Sequence, residues 1–388
     1  MIFRTLKKFD YILIITTIIM CLFGLVMVYS ASYPLALENY GDERYFFSRQ
    51  LKSFAIGITL FAVLAFIPHQ VYKNLSPLFV VASLMLLVMV LIPSVGVERN
   101  YSQRWVRIGS FMFQPSEVVK LGMILYFAAI YAKKQRYITD FRKGVLPPLL
   151  ILAFVCMLIL LQPDLGTATS LLLACGVIIV CSGVRFIHLL FLGGIAVLGV
   201  GYFAFSETYR LKRLLSFRNP FADASGDGYQ LINSYFAIAN GGISGTGIGN
   251  SVQKFGYLPE AHTDFIMAVI IEELGLIGLC VVLISYFVIM YRGLRIGLKT
   301  EDPFSRLLAI GLTFQMMIQA FFNLGAVSGL LPITGITLPF VSYGGSSLIM
   351  LMISMGILVN ISTSHTRNSP RSSAKSSRYQ IGAVKNSD

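Results

Sequence analysis

Charge is what this chain is short of. Only 13% of its 388 residues are Asp, Glu, Lys or Arg, where a soluble domain carries roughly 25%. Too few polar groups are available to clothe a water-facing surface, which excludes a soluble globular protein. Cysteine is also scarce. The five present (Cys21, Cys156, Cys175, Cys181, Cys280) fall inside apolar runs. They have neither metal-ligand spacing nor loop positions suited to disulfides, and read as small buried hydrophobes. Acids number 18 against 31 Lys and Arg, a net charge of +13. Those cations sit in short loops and tails, the pattern of positive-inside membrane topology rather than of nucleic-acid binding. No internal repeat is present, nor a pair of matching Gly/Pro-broken runs of the kind that marks many transporters. Barrel strands of about 10 alternating residues are missing too. The first apolar run has no small-residue cleavage site after it, so it reads as a retained helix rather than a signal peptide.

What the chain has is apolar length. It is 56% hydrophobic, with a mean hydropathy of +0.74. Runs long enough to cross a bilayer as helices recur at about 11–30, 51–67, 77–93, 116–132, 146–161, 167–183, 186–205, 265–290, 304–326 and 339–361. The expectation is an all-α integral membrane protein of about ten transmembrane helices. If the N-terminus is cytoplasmic, nineteen of the 31 Lys and Arg share its side and eleven lie opposite, with Lys120 inside a run. That bias predicts both termini in the cytoplasm. The outer loops are then 31–50, 94–115, 162–166, 206–264 and 327–338. A loop as long as 206–264 in a compact chain is functional or disordered. Its apolar content favours short helices on the membrane face. Residues 1–362 are expected to form a single membrane domain. The Ser-, Arg- and Lys-rich stretch 363–388 is expected to be a disordered cytoplasmic tail.

Five clusters carry polar chemistry. The first is Arg104-Trp105-Val106-Arg107, followed by Gln114-Pro115-Ser116-Glu117 and Lys120. Trp105 suits an interfacial anchor. Glu117 and Lys120 share a helix face and read either as a self-satisfied pair or as a functional intramembrane site. The second is Gln162-Pro163-Asp164-Leu165-Gly166-Thr167, where Asp164 could cap the next helix. The third spans the large loop: Arg210, Arg213, Lys254 and the glycines between Gly241 and Gly249. Cations and backbone N–H groups there suit an anionic headgroup or pyrophosphate, and Arg210, Arg213 and Lys254 are the candidate clamp. The glycines form no dinucleotide fingerprint, since no strand precedes them.

The fourth cluster is Leu258-Pro259-Glu260-Ala261-His262-Thr263-Asp264-Phe265, running into Glu272-Glu273-Leu274-Gly275. Asp264 is either a helix cap or a carboxylate poised at the bilayer edge. Glu272 and Glu273, inside an apolar run, need partners, and Lys120 is the candidate. The fifth is Pro339-Phe340-Val341-Ser342-Tyr343-Gly344-Gly345, which close helix packing alone could explain.

Taken together, these motifs resemble the SEDS family (shape, elongation, division, sporulation) from about residue 10 to 362, and the division branch more than the elongation branch. The resemblance implies a peptidoglycan glycosyltransferase that polymerises lipid II on the outer face of the bacterial cytoplasmic membrane at the division septum. It implies Asp264 as the essential acid. The other motif residues then become candidate substrate contacts: Arg104, Trp105, Arg107, Gln114, Glu117, Lys120, Gln162, Asp164, Arg210, Arg213, Lys254, Pro259, Glu260, His262, Thr263, Glu272, Glu273, Ser342, Tyr343, Gly344 and Gly345. A class B penicillin-binding transpeptidase and other division-machinery membrane proteins are the implied partners, alongside membrane lipid. A divalent cation, Mg or Mn, is an open expectation, with Asp264 as a ligand. A lipid II flippase and a non-catalytic scaffold for the transpeptidase are the competing readings.

Overall fold

A computed structural model describes residues 6–99, 102–109, 111–205, 216–226 and 228–365. Arg210, Arg213 and the tail beyond 365 lie outside those residues. Among the described residues, nine helices are long and apolar enough to cross a membrane. In chain order the helices are α1 (Tyr11–Tyr40), α2 (Tyr45–Phe66), α3 (His69–Leu91), α4 (Pro115–Lys133), α5 (Leu146–Leu160), α6 (Leu165–Cys181), α7 (Phe186–Phe205), α8 (Tyr229–Gly241), α9 (Ile266–Lys299), α10 (Pro303–Val327) and α11 (Gly345–His365). Two of these are not among the nine. α6, at 17 residues, sits at the short end of the spanning range and makes the tenth expected span. α8 belongs to the large outer loop.

Burial sorts the helices. The spanning windows of α4, α10 and α11 are 78%, 67% and 83% buried, whereas that of α7 is 0% buried. Three central helices therefore carry the polar residues that lipid would penalise, including Glu117, Lys120, Gln315, Gln319 and Asn323. The outer helices present Leu, Ile, Val and Phe to the bilayer. α11 packs along α2, and α10 packs against α9, α6 and α4. Three cysteines are buried as expected, whereas Cys181 and Cys280 are exposed, contrary to the reading of all five as buried.

Two of the expected outer loops and one expected span differ from expectation. The segment 31–50 is almost entirely helical. α1 continues through Pro34 to Tyr40 and stops at Gly41, whose φ of 66° lets it close the last turn onto Leu37 O. The loop shrinks to residues 41–44.

The loop 94–115 contains a small antiparallel sheet, with strands β1 (Gly96–Arg99), β2 (Ser102–Ile108) and β3 (Phe111–Phe113) in that spatial order. Alternation along β2 buries Val106 and exposes Arg107. The pattern is too short to stand out beside the helices.

The third difference is α9. From Leu276 to Lys299 it already spans about 36 Å, enough for the bilayer. Residues 266–274 are thus surplus to the crossing, and the chain breaks direction at Gly275 (φ 63°, ψ −152°). As expected, the large loop contributes a short helix: α8 packs on α9, and its Ser234 Oγ donates to Val327 O at the end of α10 (2.8 Å).

Candidate active site

The segment 258–265 is held by its apolar members. Leu258, Ala261, His262 and Phe265 are buried, whereas Pro259 is exposed and Glu260, Thr263 and Asp264 are half-buried. Glu260 adopts a left-handed φ of 55°, strain that a surrounding structure must impose. Its carbonyl accepts from the N–H groups of Thr263 (3.1 Å) and Phe265 (3.3 Å). The Thr263 hydroxyl lies 2.8 Å from Glu260 Oε2 and 3.1 Å from Asp264 Oδ1. One proton cannot serve both, so this hydroxyl couples two carboxylates. Asp264 does not cap α9. The cap position is Phe265, with no side-chain cap bond.

Two further segments complete the cleft. The amide of Asn323, on α10, donates to Asp264 O (2.7 Å) and Ile336 O (2.8 Å). This brings the turn at Gly335 opposite the acid: a Cβ on Gly335 would lie 3.9 Å from Asp264 Oδ2. The carbonyl of His262 accepts from Tyr343 N–H (2.9 Å). Its ring sits 4.5 Å from Phe46 and 5.5 Å from Tyr343. Gln50, on α2, clamps the same stretch by donating to Ser342 O (3.1 Å) and accepting from Gly344 N–H (3.2 Å). Ser342 Oγ accepts from Leu338 N–H (2.8 Å). Motifs 258–265 and 339–345, distant in sequence, thus form one unit around Asp264. Gly345 begins α11 directly below.

Glu272 and Glu273 are fully buried but do not pair with Lys120. Glu273 pairs with Lys254 (2.7 Å, both side chains 0% exposed) and accepts from Ser30 Oγ (2.7 Å). Glu272 accepts from Val252 N–H (3.1 Å), Gln253 N–H (3.3 Å), Asn240 Nδ2 (3.4 Å) and the Ser251 hydroxyl. Lys254, expected in an anion clamp on the outer face, is sealed inside the protein and already neutralised.

The glycine-rich turn is occupied as well. Thr246 and Gly247 N–H donate to the carbonyls of Glu272 and Glu273 (2.9 Å each), and Leu276 N–H donates to Gly242 O (3.1 Å). These are the backbone groups that the break at Gly275 releases, so the turn serves the helix rather than an external anion.

Lys120 pairs with Glu117 instead (2.8 Å). The pair borders a cavity of about 20 Å³ shared with Gln315, Gln319 and Ser354, which is room for about one water.

Arg104, Gln162 and Asp164 form a joint between β2 and the α5–α6 turn. Arg104 donates to Gln162 O (3.1 Å) and to Pro163 O, and lies 3.7 Å from Asp164 Oδ2. Asp164 caps α6 through Thr167 N–H (3.0 Å) and Thr167 Oγ1 (2.9 Å). Trp105 and Gln114 are half-buried and Arg107 is exposed. Among the described residues, no three His, Cys, Asp or Glu side chains form a metal-binding group. Glu260 and Asp264 are the carboxylate pair that bears on the metal question.

Sequence reading missed Asn323, Gln50, Ser30, Ser251 and Gly335. Asn323 had a signal, since it is one of three amides, with Gln315 and Gln319, spaced by four residues within an apolar run. Ser30 and Ser251 had none, because small hydroxyls are common in helices and loops.

Residues 10–367 match the family model described as "Cell cycle protein", which covers FtsW, RodA and SpoVE. The chain is 45% identical over 371 residues to a probable peptidoglycan glycosyltransferase FtsW of Bacillus subtilis (strain 168), covering 92% of each. It is 43% identical to stage V sporulation protein E of the same organism, covering 91% of this chain and 96% of that one. Among solved structures, one describing structural coordination of polymerization and crosslinking by a peptidoglycan synthase complex superposes with a TM-score of 0.75 at 27% identity, covering 92% of this chain and 98% of that one. The rod shape determining protein RodA of Thermus thermophilus superposes with a TM-score of 0.67 at 27% identity, covering 91% and 96%.

Proposed function

The chain belongs to the FtsW, RodA and SpoVE family of cell cycle proteins, and from that premise we propose how its site works. It is a peptidoglycan glycosyltransferase, a multi-pass membrane enzyme whose substrate is lipid II. In the reaction, the 4-hydroxyl of an acceptor GlcNAc attacks the anomeric carbon of a donor MurNAc. A C–O bond forms there as the bond to the undecaprenyl pyrophosphate breaks. The centre inverts from α to β, and the hydroxyl proton passes to a base.

Asp264 is that base. The observation that carries this reading is its half-buried carboxylate, where the loop before α9 meets the loop between α10 and α11, facing a residue with no side chain. Such a group is reached by water and by a substrate hydroxyl, the setting a general base needs. Glu260 shares the Thr263 hydroxyl with it. Arg210 and Arg213 are the proposed pyrophosphate clamp together with Arg107, and Lys254 leaves that set. A site of one or two carboxylates plus substrate phosphate is the usual setting for Mg²⁺. In the alternative role for Asp264, as a metal ligand in place of the base, Glu260 and Asp264 would hold such an ion, which would neutralise pyrophosphate oxygens.

Residues 1–362 act as one membrane unit with both termini in the cytoplasm. The partner is a class B transpeptidase that cross-links the strands at the septum, alongside other division proteins. The cavity at Glu117, Lys120 and Gln315 is the one observation that favours a flippase. Room for about one water between three tightly packed helices is a pocket rather than a path. Vesicles carrying the chain with its transpeptidase, supplied with lipid II on one leaflet, separate the two. The polymerase reading predicts glycan ladders on a gel. Lipid II reaching the opposite leaflet with no ladder would establish the flippase.

A further inference from the structure

The base reading leaves open what sets the distance across the cleft. Asp264 sits on one wall. The Gly335 turn forms the other, with a glycine in the left-handed region (φ 69°) opening space where any side chain would approach the carboxylate. Both walls are loops, and loops alone seldom hold a gap to a fraction of an ångström.

We infer that Asn323 is a positioning residue for this reaction, acting as a single amide clamp that fixes the separation between Asp264 and the facing Gly335 turn. The inference rests on the base reading above.

Three observations carry it. First, one Nδ2 group serves both walls, with donor distances of 2.7 Å to Asp264 O and 2.8 Å to Ile336 O. Two carbonyls can be satisfied only by an NH2, so the amide orientation is fixed by its partners. Second, the clamp stands on a rigid element: Asn323 is 1% exposed and lies in the last turns of α10, among the more buried spanning helices. Third, Asn323 Oδ1 is buried with no partner. A buried acceptor left unsatisfied is costly, so the side chain is kept for its donors rather than for general satisfaction of the core.

An isosteric Asp offers no donor when ionised and would repel both carbonyl oxygens. When protonated it can donate to one of them. The clamp therefore predicts that restoring the volume without both donors does not restore activity, whereas a pure packing role predicts near wild-type activity for Asn323→Asp.

The test uses the full-length chain with its transpeptidase, lipid II as substrate, and wild type, Asn323→Ala, Asn323→Asp and Asp264→Asn. Thermal unfolding is run in parallel to count folded protein. Misplacing a catalytic group by about 1 Å can cost on the order of 100-fold. The clamp predicts kcat per folded molecule at least about tenfold lower in Asn323→Ala, with KM for lipid II moved far less, the pattern of an interaction realised in the transition state. It also predicts that Asn323→Asp, which keeps the volume but offers at most one donor, stays well below wild-type kcat. Wild-type kcat in Asn323→Ala, wild-type kcat in Asn323→Asp, or failure of both variants to fold would overturn the inference and make Asn323 structural. An active Asp264→Asn protein would instead overturn the base reading, so the two failures are distinguishable.

Discussion

A carboxylate in an apolar helix must be neutral, paired or at a wet edge, and Glu273 is paired. Removing one partner of a buried ion pair leaves the other charge uncompensated, at a cost of about 3–5 kcal/mol. Lys254→Met is therefore expected to lower thermal stability in detergent sharply. The double change Lys254→Met with Glu273→Leu should recover most of the loss, because two apolar groups leave no orphaned charge. A double variant no better than the single would show that Ser30 and the surrounding loop need the charges themselves.

Asp302 makes a prediction of the other kind. It caps α10, accepting from Ser305 N–H (3.0 Å) and Ser305 Oγ (2.6 Å). Burial raises its pKa, but those hydrogen bonds and the charge of Lys73 outweigh burial and leave it below the ordinary carboxylate value. A depressed folded pKa contributes stability that is present above the unfolded value and lost as pH falls through the folded one. Acid should therefore erode wild-type stability more than that of Asp302→Asn, which a pair of melting curves at neutral and acid pH would read.

At the scale of elements, the break in α9 decides the shape of the site. Gly275 needs its positive φ, and a Cβ there would fall 2.4 Å from Ile243 O. Gly41 has almost the same φ, yet a Cβ on it would meet nothing within 4 Å. Gly41→Ala should thus cost only the left-handed conformation, about 1–2 kcal/mol. Gly275→Ala should additionally push the glycine-rich turn off the helix and expose the outer loop to protease. Equal protease sensitivity in the two variants would contradict the splice.

This element also marks where sequence reading stops. Helix positions follow from apolar runs, so ten spans were legible though not their ends, as were the Asp164 cap and the Glu117–Lys120 pair, both local in sequence. The partner of Glu273 was not. Lys254 and Lys120 were both available as partners, and only the fold, by inserting 241–254 at the Gly275 break, brings one of them close. Asp264 next to Phe265 looks like a cap, and the extra residue before the first helical turn becomes visible only in the backbone. The outer sheet was missed because three short strands give little alternation to count.

At the scale of the molecule, the proposed topology decides which face of the membrane Asp264 serves. With both termini cytoplasmic, the 41–44 turn and the Asp264 cleft share the outer face, and residues 134–140 lie on the inner one. Glu43→Cys should react with a membrane-impermeant thiol reagent in intact cells, and Arg136→Cys only after permeabilisation, on a background without the exposed native cysteines. The reverse pattern would put Asp264 on the wrong side of the membrane for wall synthesis.

The account as a whole turns on Asp264. Purified complex of the chain with its transpeptidase, incubated with lipid II and Mg²⁺ or Mn²⁺, should yield glycan ladders. The Asp264→Asn complex, folded and assembled to the same extent, should yield none. Ladders of equal intensity from both would contradict the claim that this carboxylate takes the proton, and would return the two converging loops to a structural role.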